Sequence, residues 1–442
     1  MNGVGYLFAA IAIALAFAAP KRYGMVAILI AATIVPRSQE LEIGPLHLGV
    51  VRLAVLTGLL RVLVKGERII GHLHTLDRLI IVWGIWYVGS SAFHTDNSTI
   101  TRFGEIYTDL GIYFLCRVFL RDHTDIVNLF KLVCWLLVPV AVLMLIERMT
   151  GNNLFEMFFG GWLWGTEYRH GHYRSHGPYA IAISAGTVGA VCLPMAVYLW
   201  RSERMAALVG LLGAIGIVYA SGASGPVMTA ISALGAMSLW KIRDQLRAIR
   251  WLVVLIIIVL DLVMSDPVYF LLERIDITGG STGYYRAALI QATIQHFSEW
   301  WLIGTDYTKH WLQGGEGINN PNHTDLANHY IYMGVTGGLI LMLLFIGVLY
   351  AAFNLISKVL KMDRVSGGGD PYLAWILGSI LFAHAATFLS VSYFDVANNA
   401  YLFFLLGTIG AVYAAALAGA PLGIDKEPAN LETKPQVVTA DS

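Results

Sequence analysis

The chain has 442 residues, 57% of them hydrophobic and 13% charged, with a mean hydropathy of +0.65. Soluble domains carry about 25% charged residues, so this composition excludes a water-soluble multidomain enzyme, a secreted disulfide scaffold and a disordered protein. Lys+Arg and Asp+Glu both total 29, and the balance gives no sign of a nucleic-acid partner. The fold class expected is an all-α polytopic membrane protein with about 12–13 transmembrane helices, since a helix satisfies its own backbone in hydrocarbon.

In chain order, apolar runs fall near 5–19, 24–36, 47–64, 79–93, 104–120, 127–146, 177–199, 205–220, 225–240, 251–265, 331–356, 372–391 and 399–418. The first reads as a retained first span rather than a signal peptide, because its basic residues, Lys21 and Arg22, come after it. The second is short and reads as a half-span or a broken hairpin partner. The small-residue turn 221–226 (SGASGP) splits 205–240 into two spans. Cys116, Cys134 and Cys192 lie inside apolar runs without metal-type spacing and read as small buried hydrophobes.

Basic connections alternate with non-basic ones. Lys21/Arg22, Arg61 to Arg78, Arg117 to Lys131, Arg201 to Arg204, Lys241 to Arg250 and Lys358 to Arg364 form one set. The other comprises 37–46, 94–103, 147–176, 221–224, 266–330 and 392–398. The positive-inside rule puts the basic set and the C-terminus in the cytoplasm and the loops 147–176 and 266–330 outside. With 13 spans the N-terminus is outside; with 12 it is inside. The organisation is then 1–265 (ten helices, including the outer loop 147–176), an outer loop 266–330, three last helices in 331–420 and a disordered cytoplasmic tail 421–442. No internal repeat, Rossmann glycine pattern, Walker motif or HExxH is present, nor a run of intramembrane carboxylates like a proton relay.

A loop as long as 266–330 is usually functional. Ser281 or Thr282 reads as the N-cap of an amphipathic outer helix. Tyr285, Leu289, Ala292 and His296 share one face of it, and Arg286, Ile290, Thr293 and Phe297 the adjacent one. Arg286 near a helix N-terminus suits a phosphate-type anion; equally, it could snorkel or pair with Glu273 or Glu299. Asn322 can cap a helix starting at His323 and running into the next span, with Asp325 and His329 four apart on one face. A neutral His323 at the aqueous interface suits a general base; the alternative is an interfacial His without chemistry. Arg169, His170, His172, Arg174 and His176 crowd the stretch 168–180. With only Glu167 near them they make a poor metal set and a better basic rim for an anionic head group, or a solvated loop.

These segments together resemble the superfamily of bacterial O-antigen ligases and Wzy-type O-antigen and exopolysaccharide polymerases. The resemblance covers roughly residues 165–345 and the span pattern. Its strongest part is His323, followed eleven residues later by Gly334 and then Gly337 ahead of a long span. Arg286 in STGYYR upstream of WWLIGTD (300–306), and RSHGPYA (174–180), are similar to further family segments. Where many members have Ser-Arg-Gly, this chain has Ser224-Gly225-Pro226. One expected diphosphate-binding arginine is therefore missing, a departure that looks more like the exopolysaccharide branch.

The resemblance implies an inverting, metal-independent glycosyl transfer at the periplasmic face of the bacterial inner membrane, without a cofactor. The donor is an undecaprenyl-diphosphate-linked oligosaccharide and the acceptor a glycan hydroxyl. It implies His323 as catalytic base, Arg286, Arg174 and Arg169 as diphosphate ligands, and Asp325, His329 and His176 as supporting groups. A chain-length regulator or export proteins would be partners, beside the lipid bilayer. Polymerisation of repeat units is the first reading and ligation to lipid A-core or another acceptor the second. A transporter or polysaccharide channel is the third, disfavoured by the lack of repeats and of midplane charge.

Overall fold

Each of the 13 apolar runs is occupied by a helix. The computed structural model describes residues 1–418 apart from 45, 95–97, 161–164, 170, 275–282, 313–321 and 367–369. The tail 421–442, the cap residues Ser281 and Thr282, and His170 lie outside the described residues. The first six long helices are α1 (Gly3–Ala18), α2 (Val26–Ile34), α3 (Val50–Lys65), α4 (Thr75–Ser90), α5 (Ser98–Phe119) and α6 (His123–Thr150). A short α7 (Leu154–Phe159) precedes α8 (Ala182–Leu199), α9 (Arg204–Ser221), α10 (Ser224–Ser238) and α11 (Leu246–Val263). The loop 266–330 holds α12 (Leu271–Arg274), α13 (Gly283–Gln295) and α14 (Phe297–Trp300), and the chain ends in α15 (His329–Ser366), α16 (Pro371–Thr387) and α17 (Val396–Leu417). Sheet among the described residues is confined to two antiparallel hairpins, β1 (Glu40–Ile43) with β2 (Leu46–Gly49) and β3 (Glu167–Arg169) with β4 (His172–Arg174).

Local chemistry sets the helix ends. Asp122, Asp370 and Asp395 cap the first amide groups of α6, α16 and α17. Gly151 ends α6 in the left-handed region at φ 75°. Among the described residues, five helices are long and apolar enough to cross a bilayer unaided: His123–Thr150, Ala182–Leu199, Arg204–Ser221, His329–Met362 and Val396–Leu417. The chain is therefore a multi-pass membrane protein. α17 is buried on nearly all sides and forms the centre of the bundle together with α8 and α16. By contrast, α11 has no buried residue among those described, an apolar surface suited to lipid. All three cysteines are buried and unpaired, and Cys134 abuts α9 at Gly210.

The connections sort into two ends. The N-terminal ammonium donates to Glu40 O (3.1 Å), Asn2 to Phe158 O (3.1 Å) and Gln39 to Phe159 O (3.1 Å). Arg37 donates to Phe394 O (3.4 Å), and the Ala180 amide to Asp395 (2.8 Å). The N-terminus thus shares an end with 37–46, 147–180 and 392–398. At the other end Arg61 donates to Ala19 O (2.6 Å), Lys131 pairs with Glu203 (2.6 Å) and Tyr198 donates to Asp370 (2.5 Å). There Arg117 is fully buried against Asp77 at 3.1 Å. The basic set of connections is the second end, as the alternation in the sequence predicts. α2 has 9 residues and rises only ~13.5 Å of a ~30 Å core. The non-helical 35–39 completes the return to the first end. Irregular backbone at this depth is tolerated because most of α2, and Pro36 and Gln39 beyond it, are buried in protein.

Candidate functional site

The loop 266–330 shares a separate apolar core with the start of α15: Leu289, Ala292, Trp300, Trp311 and Leu326 from the loop, Ile331 and Val335 from the helix. The expected inner face of α13 supplies Leu289 and Ala292. Its neighbouring face carries Arg286, which is half-buried, and whose Nε donates to Ser390 O at 3.3 Å. Among the described residues no acceptor occupies its two Nη groups. The pairing with Glu299 considered from the sequence does not form, because that carboxylate accepts from Trp311 (2.9 Å) and contacts His296 (2.7 Å) and His310 (3.0 Å). Burial lowers the pKa of the Arg286 guanidinium, and the nearby charge of Asp325 opposes this.

The segment 322–325 is not helical. The helix begins at His329, six residues later than the capping pattern predicts. The cause is competition for the backbone. Asn322 O, which would start the helix, accepts instead from the amides of Thr308 (3.0 Å) and Lys309 (3.1 Å). The Thr324 amide donates to Thr308 Oγ1 at 3.1 Å, and the same hydroxyl lies 3.1 Å from His323 Nδ1. Tyr285, next to Arg286 on α13, donates its hydroxyl proton to Asp325 O (2.9 Å) and meets Thr324 Oγ1 at 2.9 Å. Tyr285 thus holds 324–325 against the first turns of α13, where Asp325 and Arg286 are close enough for their charges to interact, and His323 lies two residues before Asp325. Burial pushes the Asp325 carboxyl above the usual carboxylate range, and Arg286 partly pulls it back.

A cavity of about 590 Å³ opens beside this cluster. Ile290, Thr293, Ile294 and Phe297 line one wall, Ile331, Leu339 and Met342 of α15 the other, with Leu389 at one edge. Ile290 is one turn from Arg286, and Leu389 precedes Ser390, the residue Arg286 holds. An apolar groove thus starts where a cation with unused donors is anchored. Across it, α15 breaks at Gly337 and Gly338. Gly338 has φ +78°, and a Cβ there would lie 2.3 Å from Leu302 O. WWLIGTD packs onto this break through Thr305 N to Val335 O (2.9 Å) and Leu339 N to Trp301 O (2.8 Å).

The remaining site residues predicted from sequence fall elsewhere. His329 sits in the aromatic core, 2% exposed, with Nδ1 accepting from the Tyr393 amide at 3.1 Å. It shares no helical face with Asp325, since 325–328 is irregular, and it does not orient His323 in the way its spacing suggests. His176 is likewise 2% exposed. Its Nδ1 meets Tyr179 O at 2.9 Å and its amide donates to Glu147 at 3.1 Å. RSHGPYA is thus a buried turn bound to α6. Arg169 and Arg174 lie on the β3–β4 hairpin, with Arg174 paired to Glu167 at 2.6 Å.

Two features escaped the sequence. The first is Arg148 at the end of α6, which donates to Tyr173 O and Ala220 O, each at 3.4 Å. A Cβ at Gly222 would lie 2.8 Å from its Nη1 and 2.9 Å from His172 Nε2. A cation therefore sits on the 221–226 turn, although none is encoded within it. The turn leads into α10, whose first amides have no side-chain cap, and Gly225 lies against Val391, beside Ser390. The second is a small cavity of about 20 Å³, lined among others by Tyr87, Glu105, Asp109, His329, Tyr332 and Asn399. It places two carboxylates on one small cavity within the bundle, where the sequence shows no run resembling a proton relay. α5 starts at Ser98, so Arg102, which the sequence assigns to the connection 94–103, joins Glu105 and Asp109 at helical spacing within one helix. That spacing was the available signal.

Compared with known proteins, the chain matches no family model and no curated protein.

Proposed function

We propose that this multi-pass membrane protein is a glycosyltransferase using a polyprenyl-diphosphate-linked glycan, working at the end that carries the loop 266–330. In this reading the chain crosses the bilayer 13 times, counting α2 as a broken span, and the basic end faces the cytoplasm. The observation that carries the proposal is Arg286: a half-buried guanidinium with two unused donor groups at the head of an apolar groove. A diphosphate on a polyprenyl chain has the complementary shape, an anion joined to an apolar tail. The uncapped start of α10 beside Arg148 offers a second anion-binding element where the resembling family has its arginine.

In chemical terms, an acceptor hydroxyl oxygen attacks the anomeric carbon, the bond from that carbon to the diphosphate oxygen breaks, and the configuration inverts. His323 takes the hydroxyl proton at Nε2. This requires Nδ1–H to donate to Thr308 Oγ1, which has two acceptor lone pairs and receives the Thr324 amide on the other. Arg286 stabilises the charge growing on the leaving diphosphate, and a planar, permanently charged guanidinium binds it in bidentate fashion. Polymerisation is the first form of this activity and ligation the second.

The polar cavity around Glu105 and Asp109 favours a competing reading, a transporter coupled to a small ion or proton, because ionisable groups at membrane depth mark such pathways. One experiment separates them: product formed in detergent from a lipid-linked oligosaccharide, wild type against His323→Ala. A ladder from wild type and a loss of about 10²–10⁴-fold in the variant would support the base. A single shifted band on an added acceptor would mean ligation. No product from wild type with the native donor would return the protein to transport.

A further inference from the structure

Three ligand-type side chains converge at the far end of α13, away from Arg286. We propose that His296, Glu299 and His310 form a binding site for one zinc-class divalent cation. Nδ1 of His296 lies 2.7 Å from Glu299 Oε1, and Nε2 of His310 lies 3.0 Å from Oε2. One donor atom from each of the three falls within 4.8 Å of the others. Zinc with nitrogen and oxygen ligands at about 2.0–2.2 Å needs its donor atoms little more than 3 Å apart. Small ring rotations therefore convert the present contacts into coordination.

The donors are also held from behind. Trp311, 6% exposed, donates its indole N–H to Glu299 Oε2 at 2.9 Å. Its ring lies parallel to that of His296, 9° apart in plane and 5.6 Å between centroids. Tyr307 stacks on His310 at 5.3 Å and 10°. The indole N–H on the Glu299 carboxylate is an outer-shell hydrogen bond of the kind that orients metal ligands, and the stacked rings limit how the two imidazoles turn. The donor chemistry selects the ion. Two imidazoles with one carboxylate suit zinc and neighbouring transition metals, whereas magnesium and calcium demand mostly oxygen. Glu299 and His310 are exposed and His296 is half-buried, so solvent and a dissolved cation reach the cluster.

Such an ion would join α14 to the segment 308–311, and Thr308 in that segment holds His323. The inference does not rest on the transfer reaction, because binding is measured without glycan or lipid donor.

The test is calorimetric titration of ZnCl₂ into purified protein stripped with a chelator, followed by Co²⁺ as a spectroscopic probe. One tight equivalent is expected, with visible ligand-field bands from Co²⁺. His310→Gln and His296→Gln should each weaken binding at least about 10-fold, and Trp311→Phe by about 10-fold, while His172→Gln leaves it unchanged. Size-exclusion profiles identify any variant that misfolds, and the second histidine variant then decides. Equal affinity in wild type and a folded His296 or His310 variant would overturn the site, as would displacement of zinc by equimolar magnesium.

Discussion

At the residue scale, the candidate site depends on one hydroxyl the sequence did not single out. Thr308 is fully buried, receives the Thr324 amide and contacts His323 Nδ1. Thr308→Val keeps the shape but leaves that amide without an acceptor, a penalty of about 1–3 kcal/mol. The variant should melt lower in detergent, and the glycosyl transfer proposed for the protein should fall while affinity for the proposed donor holds. An unchanged turnover would remove Thr308 as the group that orients His323. Asp325 gives a pH prediction. Its carboxyl titrates above the ordinary value of 3.8 because it is buried, with Arg286 in partial opposition. A raised carboxyl pKa favours the folded state at low pH, below the unfolded value, and that contribution is lost as pH rises through the folded pKa. Asp325→Asn should therefore gain thermal stability relative to wild type at pH 7 and little at pH 4. An equal difference at both values would show that the carboxyl ionises without cost. His323, Arg286 and Asp325 were legible because each stands in a polar stretch between apolar ones. Thr308 was not, since a threonine in a loop carries no periodic or charge signal.

At the element scale, the informative errors lie at helix starts. The expected helix from His323 loses its first six residues to hydrogen bonds with 308–309 and Tyr285. Those partners are distant in sequence, so no capping pattern reveals them. α5 extends further toward its N-terminus than hydropathy suggests, because Arg102 and Glu105 are satisfied by Ser90 (3.0 Å) and Tyr87 (2.6 Å) rather than by water. The glycines before the long span were visible as Gly334 and Gly337, but the position under strain is Gly338. With φ +78°, ψ −179° and Leu302 O only 2.3 Å from an added Cβ, Gly338→Ala meets both a backbone penalty of about 1–3 kcal/mol, since that region is essentially open to glycine alone, and a steric clash. It should lower the midpoint of thermal unfolding by more than Gly347→Ala, whose Cβ meets nothing within 4 Å in the same helix. Equal midpoints would mean that the loop 300–305 yields freely.

At the scale of the whole molecule, the two ends of the bundle make a topological prediction. Asn152 and Ser202 are both exposed and lie at opposite ends. The three native cysteines are buried, so single cysteines introduced at these positions report alone. An impermeant maleimide applied to intact spheroplasts should label Asn152→Cys and spare Ser202→Cys until the membrane is opened. The reverse pattern would invert the protein and move the candidate site to the cytoplasm.

Composition and the alternation of basic connections determined the membrane class and where the apolar helices fall along the chain. These come from local burial energies and from charge near each span, both written along the chain. What only the tertiary structure decided is which groups meet. His329 and His176 went into the core; Arg148 came to the 221–226 turn; Glu105 and Asp109 lined a cavity; Arg286 reached the head of an apolar groove. Each of these depends on contacts between segments far apart in sequence. Their hydrogen bonds and packing outweigh local preference by amounts that no single window of residues encodes.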